Sequence, residues 1–316
     1  MPPVWHHRHV SRKLAVLAAL LLVLTACSNP TAGMKLTIAT GFGTGVYFSL
    51  GSALADAWTE QTGIEHPRVL QTNGSEDNLN RLRAGEANVT ISAADVATDH
   101  LRDATTHSPR ALARIYDDYL HIVVRDESQI RGVKELQGKR VAVGAAASGV
   151  QVIAERVLKI AGVTVVPETM SLPESSKALF DGRIDAFFWS GGLPTREILD
   201  LSNRLAMRLV DMADVMKSIR EDFPYYNSAT VPLATYAKMT NATPVTTLIV
   251  PNLLLVTDEM SADAARVLTA GVFEARSKLV AANNAANSID MRSAIETRPV
   301  PLHDGALAYY RDQKDH

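Results

Sequence analysis

The residues best placed to do chemistry lie in three short stretches: Thr40-Gly-Phe-Gly-Thr-Gly-Val-Tyr47, Asn73-Gly74-Ser75 and Ala145-Ala-Ala-Ser-Gly149. Each follows a β-rich run and opens an amphipathic segment. Gly41, Gly43 and Gly45 let the backbone turn tightly, with φ > 0 where needed. A helix that starts directly after such a turn leaves its first N–H groups unpaired and points the positive end of its dipole at the loop. The chemistry on offer is anion binding, a seat for a carboxylate or phosphate, with Ser148 adding a hydroxyl. No Gly-Lys-Ser/Thr follows the first glycines, and the third comes two residues after the second instead of three, so neither the P-loop nor the dinucleotide fingerprint fits. The same residues also have plain structural uses. The glycines can build a tight βα connection, and Ser75 and Ser148 can cap the helices they precede.

Groups for bond-making chemistry are missing from the sequence pattern. Ser148 has no Gly-x-Ser-x-Gly elbow, no His-Glu-x-x-His occurs, and the six histidines beyond the leader lack metal-ligand spacing. Asp117 and Asp118 are adjacent, so on a regular element their side chains diverge. His121, in a strand, and His303, near the C-terminus, read as structural. The expectation is a binding protein, not an enzyme, with no metal and no cofactor. Trp189, at the end of a strand before Gly191-Gly192, offers such a site an apolar wall with an N–H donor.

The elements that must position these residues recur as strand, loop, helix. Leu50, Leu54, Ala57 and Trp58 have helical spacing, and Gly63 ends that helix. Residues 68–72 read as a strand and 76–84 as a helix with Ser75 as its N-cap; a buried strand then ends at Ala93, and Asp95 is placed to cap the segment from Val96. In the second half, 120–125 is a strand, 130–138 a short helix, 139–143 a strand, and 150–161 a helix closed by Gly162. A helix at 174–180 and a strand at 184–190 follow. Loops at the carboxyl ends of strands are where open α/β sheets put ligands, and two such loops, one per half, could clamp one anion between facing helix N-termini.

Residues 1–27 read as a processing segment. Arg8, Arg12 and Lys13 precede an apolar run of 11 residues, Leu14 to Leu24, too short to span a bilayer, and Leu24-Thr25-Ala26-Cys27 resembles a bacterial lipobox with Cys27 as the lipidation site. Cys27 is the only cysteine, so no disulfide is available. Beyond the leader, 29 basic residues stand against 34 acidic ones, a net charge of −5 that argues against nucleic acid as a partner.

Several motifs occur together and in order: Thr40-Gly-Phe-Gly-Thr-Gly-Val-Tyr47, Asn73-Gly-Ser-Glu-Asp-Asn-Leu79, Leu136-Gln-Gly-Lys-Arg-Val-Ala-Val-Gly144, Ser148-Gly149, Asp181-Gly-Arg-Ile-Asp-Ala-Phe-Phe188, Gly192-Leu-Pro194 and Pro301-Leu-His-Asp-Gly-Ala-Leu-Ala-Tyr-Tyr310. The chain resembles the TAXI family, the extracytoplasmic solute receptors of a class of TRAP transporters, over nearly all of residues 35–311. The resemblance implies a type II periplasmic-binding-protein fold, two α/β lobes around a ligand cleft, with a hinge crossed near Tyr119 and again near Leu254–Thr257. Residues 1–26 would be the signal peptide and 27–33 a tether. Lobe 1 would comprise 34–119 and 258–316, and lobe 2 would be 120–257. A helix from Ser261 to Leu279 would follow the return strand. A small carboxylate such as glutamate is the implied ligand and a TRAP-type membrane permease the implied partner. A sensory or interaction lipoprotein, or an ABC-type receptor, would use the same fold. By position, Thr44, Gly45 and Tyr47, then Asn73, Gly74, Ser75 and Asn78, then Ser148, Gly149, Val150 and Trp189 match the family's binding positions. Phe42, Phe48 and Ala145-Ala-Ala depart from its usual loop residues. Arg125 and Arg196 lie beside the motifs, so recognition is expected without a guanidinium forked onto the ligand.

Overall fold

A computed structural model describes residues 31, 33–104 and 106–314. The leader, Cys27 and most of the expected tether lie outside the described residues. The chain opens with strand β1 (Thr37–Ala39), helix α1 (Val46–Thr62), β2 (Arg68–Leu70), α2 (Ser75–Arg83), β3 (Val89–Ala93), α3 (Ala94–Asp103) and the long β4 (Pro109–Arg125). It continues through β5 (Arg140–Ala142), α4 (Gly149–Ala161), β6 (Val166–Glu168), α5 (Leu172–Phe180), β7 (Ala186–Gly191), α6 (Arg196–Ser202), β8 (Met207–Leu209), α7 (Ala213–Asp222) and β9 (Asn227–Val231). It ends with β10 (Val245–Thr257), α8 (Ala262–Glu274), α9 (Arg276–Ala282) and α10 (Asp304–Asp312).

The helices form where the apolar spacing sets them. α1 buries Leu50, Leu54 and Trp58 at four-residue intervals and stops at Gly63, whose φ of 71° is left-handed. α4 buries Val150, Ile153, Ala154, Val157 and Leu158 and stops at Gly162 in the same way. The Trp58 indole is fully buried and donates to the Leu268 carbonyl at 3.2 Å, fastening α1 to α8. The Tyr310 hydroxyl donates to the Leu112 carbonyl at 2.9 Å, fastening α10 to β4.

One sheet runs through the molecule in the order β2-β1-β3-β10-β4-β7-β5-β6. At each end three strands run parallel, as βαβ crossovers require, and β4 and β10 lie antiparallel between them. These two strands make the molecule two lobes with a double connection. β4 pairs with β10 through Tyr119 and with β7 from Tyr119 onward. β10 pairs first with β9, then from Ile249 with β4.

Three expectations are corrected. Ile249 is the residue opposite Tyr119, whereas Leu254 pairs with Ala113 and Ile91 inside the first lobe, so the return passes before Leu254. The segment 130–138 forms only one 3-10 turn, Val133–Leu136. The helix expected over 261–279 breaks at Ala275, because Arg276 turns to donate to the carbonyls of Ile289 (2.8 Å) and Asn287 (3.0 Å), which ties α9 to the following turn.

Candidate functional site

Between the lobes is a cleft of about 800 Å³, lined by the loops that leave the carboxyl ends of β1, β2, β5 and β7. From the first loop it takes Thr44, Gly45 and Tyr47; from the second, Asn73, Gly74 and Ser75; from the third, Ser148, Gly149 and Val150; and from the end of β7, Trp189. Asn78 is not among the lining residues. Its amide nitrogen donates to the carbonyls of Thr40 (2.5 Å) and Ile91 (2.8 Å), and its oxygen accepts from the Thr72 hydroxyl (2.6 Å). With every polar group engaged, it braces the first two loops from behind.

The loops differ in what their glycines do. Gly41, Gly43 and Gly45 are not at positive φ, contrary to one use expected for them. They permit close approach instead: a Cβ on Gly43 would come within 3.2 Å of the Gln71 side chain, and one on Gly45 within 3.1 Å of the Phe42 carbonyl oxygen. Gly74, at φ 109°, does need a residue without a Cβ.

Ser148 caps α4 as its position suggested, accepting from the Gln151 amide at 3.2 Å and donating to the Ala145 carbonyl at 2.6 Å. Ser75 does not cap α2; the N-cap is Gly74, and Ser75 is the first helical residue. Its hydroxyl points at β3, accepts from the Ala93 amide at 3.1 Å, and meets the Tyr47 hydroxyl at 3.1 Å. Asp95 likewise departs from a simple cap. α3 begins at Ala94, and although one Asp95 oxygen accepts from the Val96 amide at 2.8 Å, the other takes Arg156 and Tyr226.

The heads of α2 and α4 come together across the cleft. The Asp77 amide donates to the Ala147 carbonyl at 3.2 Å, and a Cβ on Gly149 would lie 3.0 Å from Ser75 Oγ. Ala147 takes the Asp77 amide and Ser148 the Gln151 amide, which leaves Ser75 and Glu76 on α2 and Gly149 and Val150 on α4 as the first-turn donors the two lobes bring to one space.

Two aromatic rings meet over the same cleft. Phe42 and Trp189 pack edge to face, with centroids 5.7 Å apart. The Trp189 N–H donates to the Thr195 hydroxyl at 3.0 Å, and that hydroxyl donates to the Gly192 carbonyl at 2.9 Å. Trp189 therefore gives the cleft an apolar face and keeps its N–H for the chain, which corrects the donor role expected of it.

The floor holds residues that the motifs did not flag, Tyr116 and Asp118, with the fully buried Asn252 beside them. Tyr47 donates to the Asn252 side-chain oxygen, joining α1 to β10. Asp118 is buried, and one carboxyl oxygen accepts from Ser190 at 3.5 Å. Its other oxygen and the Asn252 amide nitrogen are buried without a hydrogen-bond partner. Asp117 points the other way, to Arg114 at 2.7 Å, so the adjacent pair does diverge. The signal for Asp118 was present in the alternation of β4, where Tyr116, Asp118 and Leu120 share the buried face.

The sequence matches the NMT1-like family over residues 38–313. The chain belongs to the NMT1-like family. Its fold is that of the periplasmic binding proteins. The structure is similar to the periplasmic aliphatic sulphonate binding protein SsuA from Escherichia coli, with a TM-score of 0.51 and 13% identity, over 88% of this chain and 82% of that one. It is also similar to XAC2383 from Xanthomonas citri bound to ATP, with a TM-score of 0.54 and 15% identity, over 89% and 98% of the two chains. A TctC solute binding protein from Polaromonas matches with a TM-score of 0.50 and 16% identity, over 89% and 98%.

Electrostatics distinguish the two ends of the cleft in this NMT1-like chain. Burial pushes the Asp118 carboxyl up to about 7, with Asn252 and Tyr116 pulling the other way. Burial also holds the Tyr47 and Tyr116 phenols well above their ordinary values, so both are neutral donors at physiological pH. His121, whose ring nitrogens contact the Tyr119 carbonyl (2.8 Å) and the Tyr236 hydroxyl (2.9 Å), is brought down to about 4 by burial and is neutral. His303 caps α10, its ring accepting from the Gly305 amide at 3.1 Å. Arg196 is the cation among the lining residues; it stands exposed at the rim with its Nε 3.0 Å from Asp200. Among the described residues no group of three or more His, Cys, Asp or Glu is placed to hold a metal ion.

Proposed function

We propose that this NMT1-like protein is the extracytoplasmic receptor of a TAXI-type TRAP transporter. It captures a small carboxylate such as glutamate and delivers it to a membrane permease while anchored through a lipidated Cys27. The observation that carries the reading is the convergence of the α2 and α4 heads, one from each lobe, on a single cleft. First-turn amides, the hydroxyls around them and the Phe42–Trp189 pair make a small site for an anion with an apolar flank. The ordered loop motifs of the sequence support the transporter class. Lobe 1 is taken as 34–119 with the C-terminal return and lobe 2 as the segment between, joined at the Tyr119–Ile249 pair. Closure of the lobes on the solute is the functional event, since the permease has to tell the loaded receptor from the empty one.

The test is calorimetric titration of the chain lacking its leader and Cys27, unfolded and refolded to strip any retained ligand, against amino acids, dicarboxylates, keto acids and sugars. Micromolar or tighter binding of one carboxylate, abolished in Ser148→Ala or Tyr47→Ala, is expected. Silence across the panel from folded protein overturns the reading.

A further inference from the structure

We propose that Asp118 is a seat for a protonated amine, so that the solute this cleft captures carries an ammonium group and is a zwitterion or cation, not a plain carboxylate. The inference rests on the receptor reading and deepens it. The carboxyl and guanidinium groups lining the cleft are those of Asp95, Asp118, Glu197, Asp200 and Arg196. Two of these carboxylates are already matched: Asp95 by Arg156 from behind, at 3.1 Å, and Asp200 by Arg196 at the rim. Asp118 is different. It lines the cleft at only 6% exposure, and one of its oxygens has no hydrogen-bond partner.

The groups that face Asp118 come from every element packed around it, and they contain no cation. They are Tyr47 on α1, Tyr116 and the outward-turned Asp117 on its own strand, Ser190 on β7, Asn252 on β10 and, farther off, Asp95 on α3. An isolated carboxylate inside a protein is strongly disfavoured unless a positive charge or several donors accompany it. Its neighbours are neutral donors only, Ser190 at 3.5 Å with Asn252 and Tyr116 beside it, and burial outweighs them. A solute ammonium, with three N–H donors, supplies what the chain leaves out. The cleft is then complementary at two points, with amides and hydroxyls for the solute's carboxylate and Asp118 for its nitrogen. The amine also gives a cation to the one buried lining carboxylate that no cation of the chain meets.

The experiment uses matched pairs differing only in the amine, L-glutamate with glutarate and L-leucine with 4-methylpentanoate, titrated into the wild type and Asp118→Asn. In at least one pair the amine-bearing member is expected to bind about tenfold to a hundredfold more tightly, the range for a hydrogen bond to a charged group. In Asp118→Asn the pair should come within about threefold. Near pH 6.5, calorimetry in two buffers of different ionisation enthalpy should show proton release on amine binding by the wild type and none by the variant. Asp118→Ser serves if Asp118→Asn does not fold. Equal binding within the pairs, tighter binding of the deaminated members, or a preference that survives Asp118→Asn overturns the seat while leaving the receptor reading intact. No binding of any of the four by folded protein counts against both.

Discussion

The guanidinium of Arg156, on α4 of the second lobe, lies 3.1 Å from the carboxylate of Asp95, at the head of α3 in the first. The same guanidinium reaches Asp99, donates to the Tyr226 hydroxyl at 3.0 Å and covers the Phe223 ring at 4.8 Å. The side chains of Arg156 and Asp95 are 12% and 1% exposed, so this bridge between lobes is largely out of water. Removing one partner strands the other. Arg156→Met is expected to cost about 3–5 kcal/mol in urea unfolding, and Arg156→Met with Asp95→Leu to recover much of it. A loss below about 1 kcal/mol in the single variant would show that the bridge contributes little.

Asp118 makes stability depend on pH. Its folded value of about 7 is above the ordinary carboxyl value of 3.8, so the folded state holds the proton more tightly. Its contribution to stability is therefore fully present below about pH 3.8 and is lost as pH rises through 7. Each pH unit between the two values is worth about 1.4 kcal/mol, an upper limit near 4 kcal/mol in all. Asp118→Asn is expected to gain on the wild type by several degrees in Tm as pH goes from 4 to 8. Parallel Tm curves for the two proteins would refute this.

The contact between Phe42 and Trp189 joins the lobes at the mouth of the cleft. Edge-to-face pairs are worth about 1 kcal/mol beyond their buried area. Phe42→Ala is expected to weaken solute binding about fivefold to tenfold by calorimetry, with Tm nearly unchanged because Phe42 is not in either lobe's core.

Gly149, at the head of α4, faces Ser75 at the head of α2. A methyl group there would meet Ser75 Oγ at 3.0 Å and Ser75 Cβ at 3.3 Å. Gly149→Ala should fold, because alanine suits a first helical turn, yet should hold the lobes apart. We expect affinity to fall more than tenfold and the solute-bound radius of gyration to exceed that of the wild type in X-ray scattering. Unchanged affinity would place closure elsewhere.

Much of the cleft was legible in the sequence because its lining comes from local patterns. A β-rich run, a small-residue loop and a helix with a glycine stop identify the site from neighbours in sequence, as with Ser148, Gly149 and Gly162. What was not legible depends on distant pairing. Asp118 and Asn252 come together only because β4 and β10 lie side by side, with Asn252 opposite Tyr116 at a break in register. Ser75 shows the same limit at a finer scale. Its position favours capping, yet the Ala93 amide and Tyr47 hydroxyl, supplied by tertiary packing, take its oxygen. The place of Trp189 in the sequence suits a donor to the cleft, but Thr195, six residues on, takes its N–H.

The connectivity described above also sets an order of assembly. β3 pairs with β10, Ser92 lying against Leu253, and Trp58 is held by the Leu268 carbonyl. During synthesis these partners emerge only after the whole second lobe has left the ribosome. The earlier-encoded lobe has its three parallel strands in hand first, yet it waits with an unpaired β3 edge and an unfilled slot beside Trp58 until β10 and α8 arrive. The first lobe is thereby kept from completion until nearly the last helix is made.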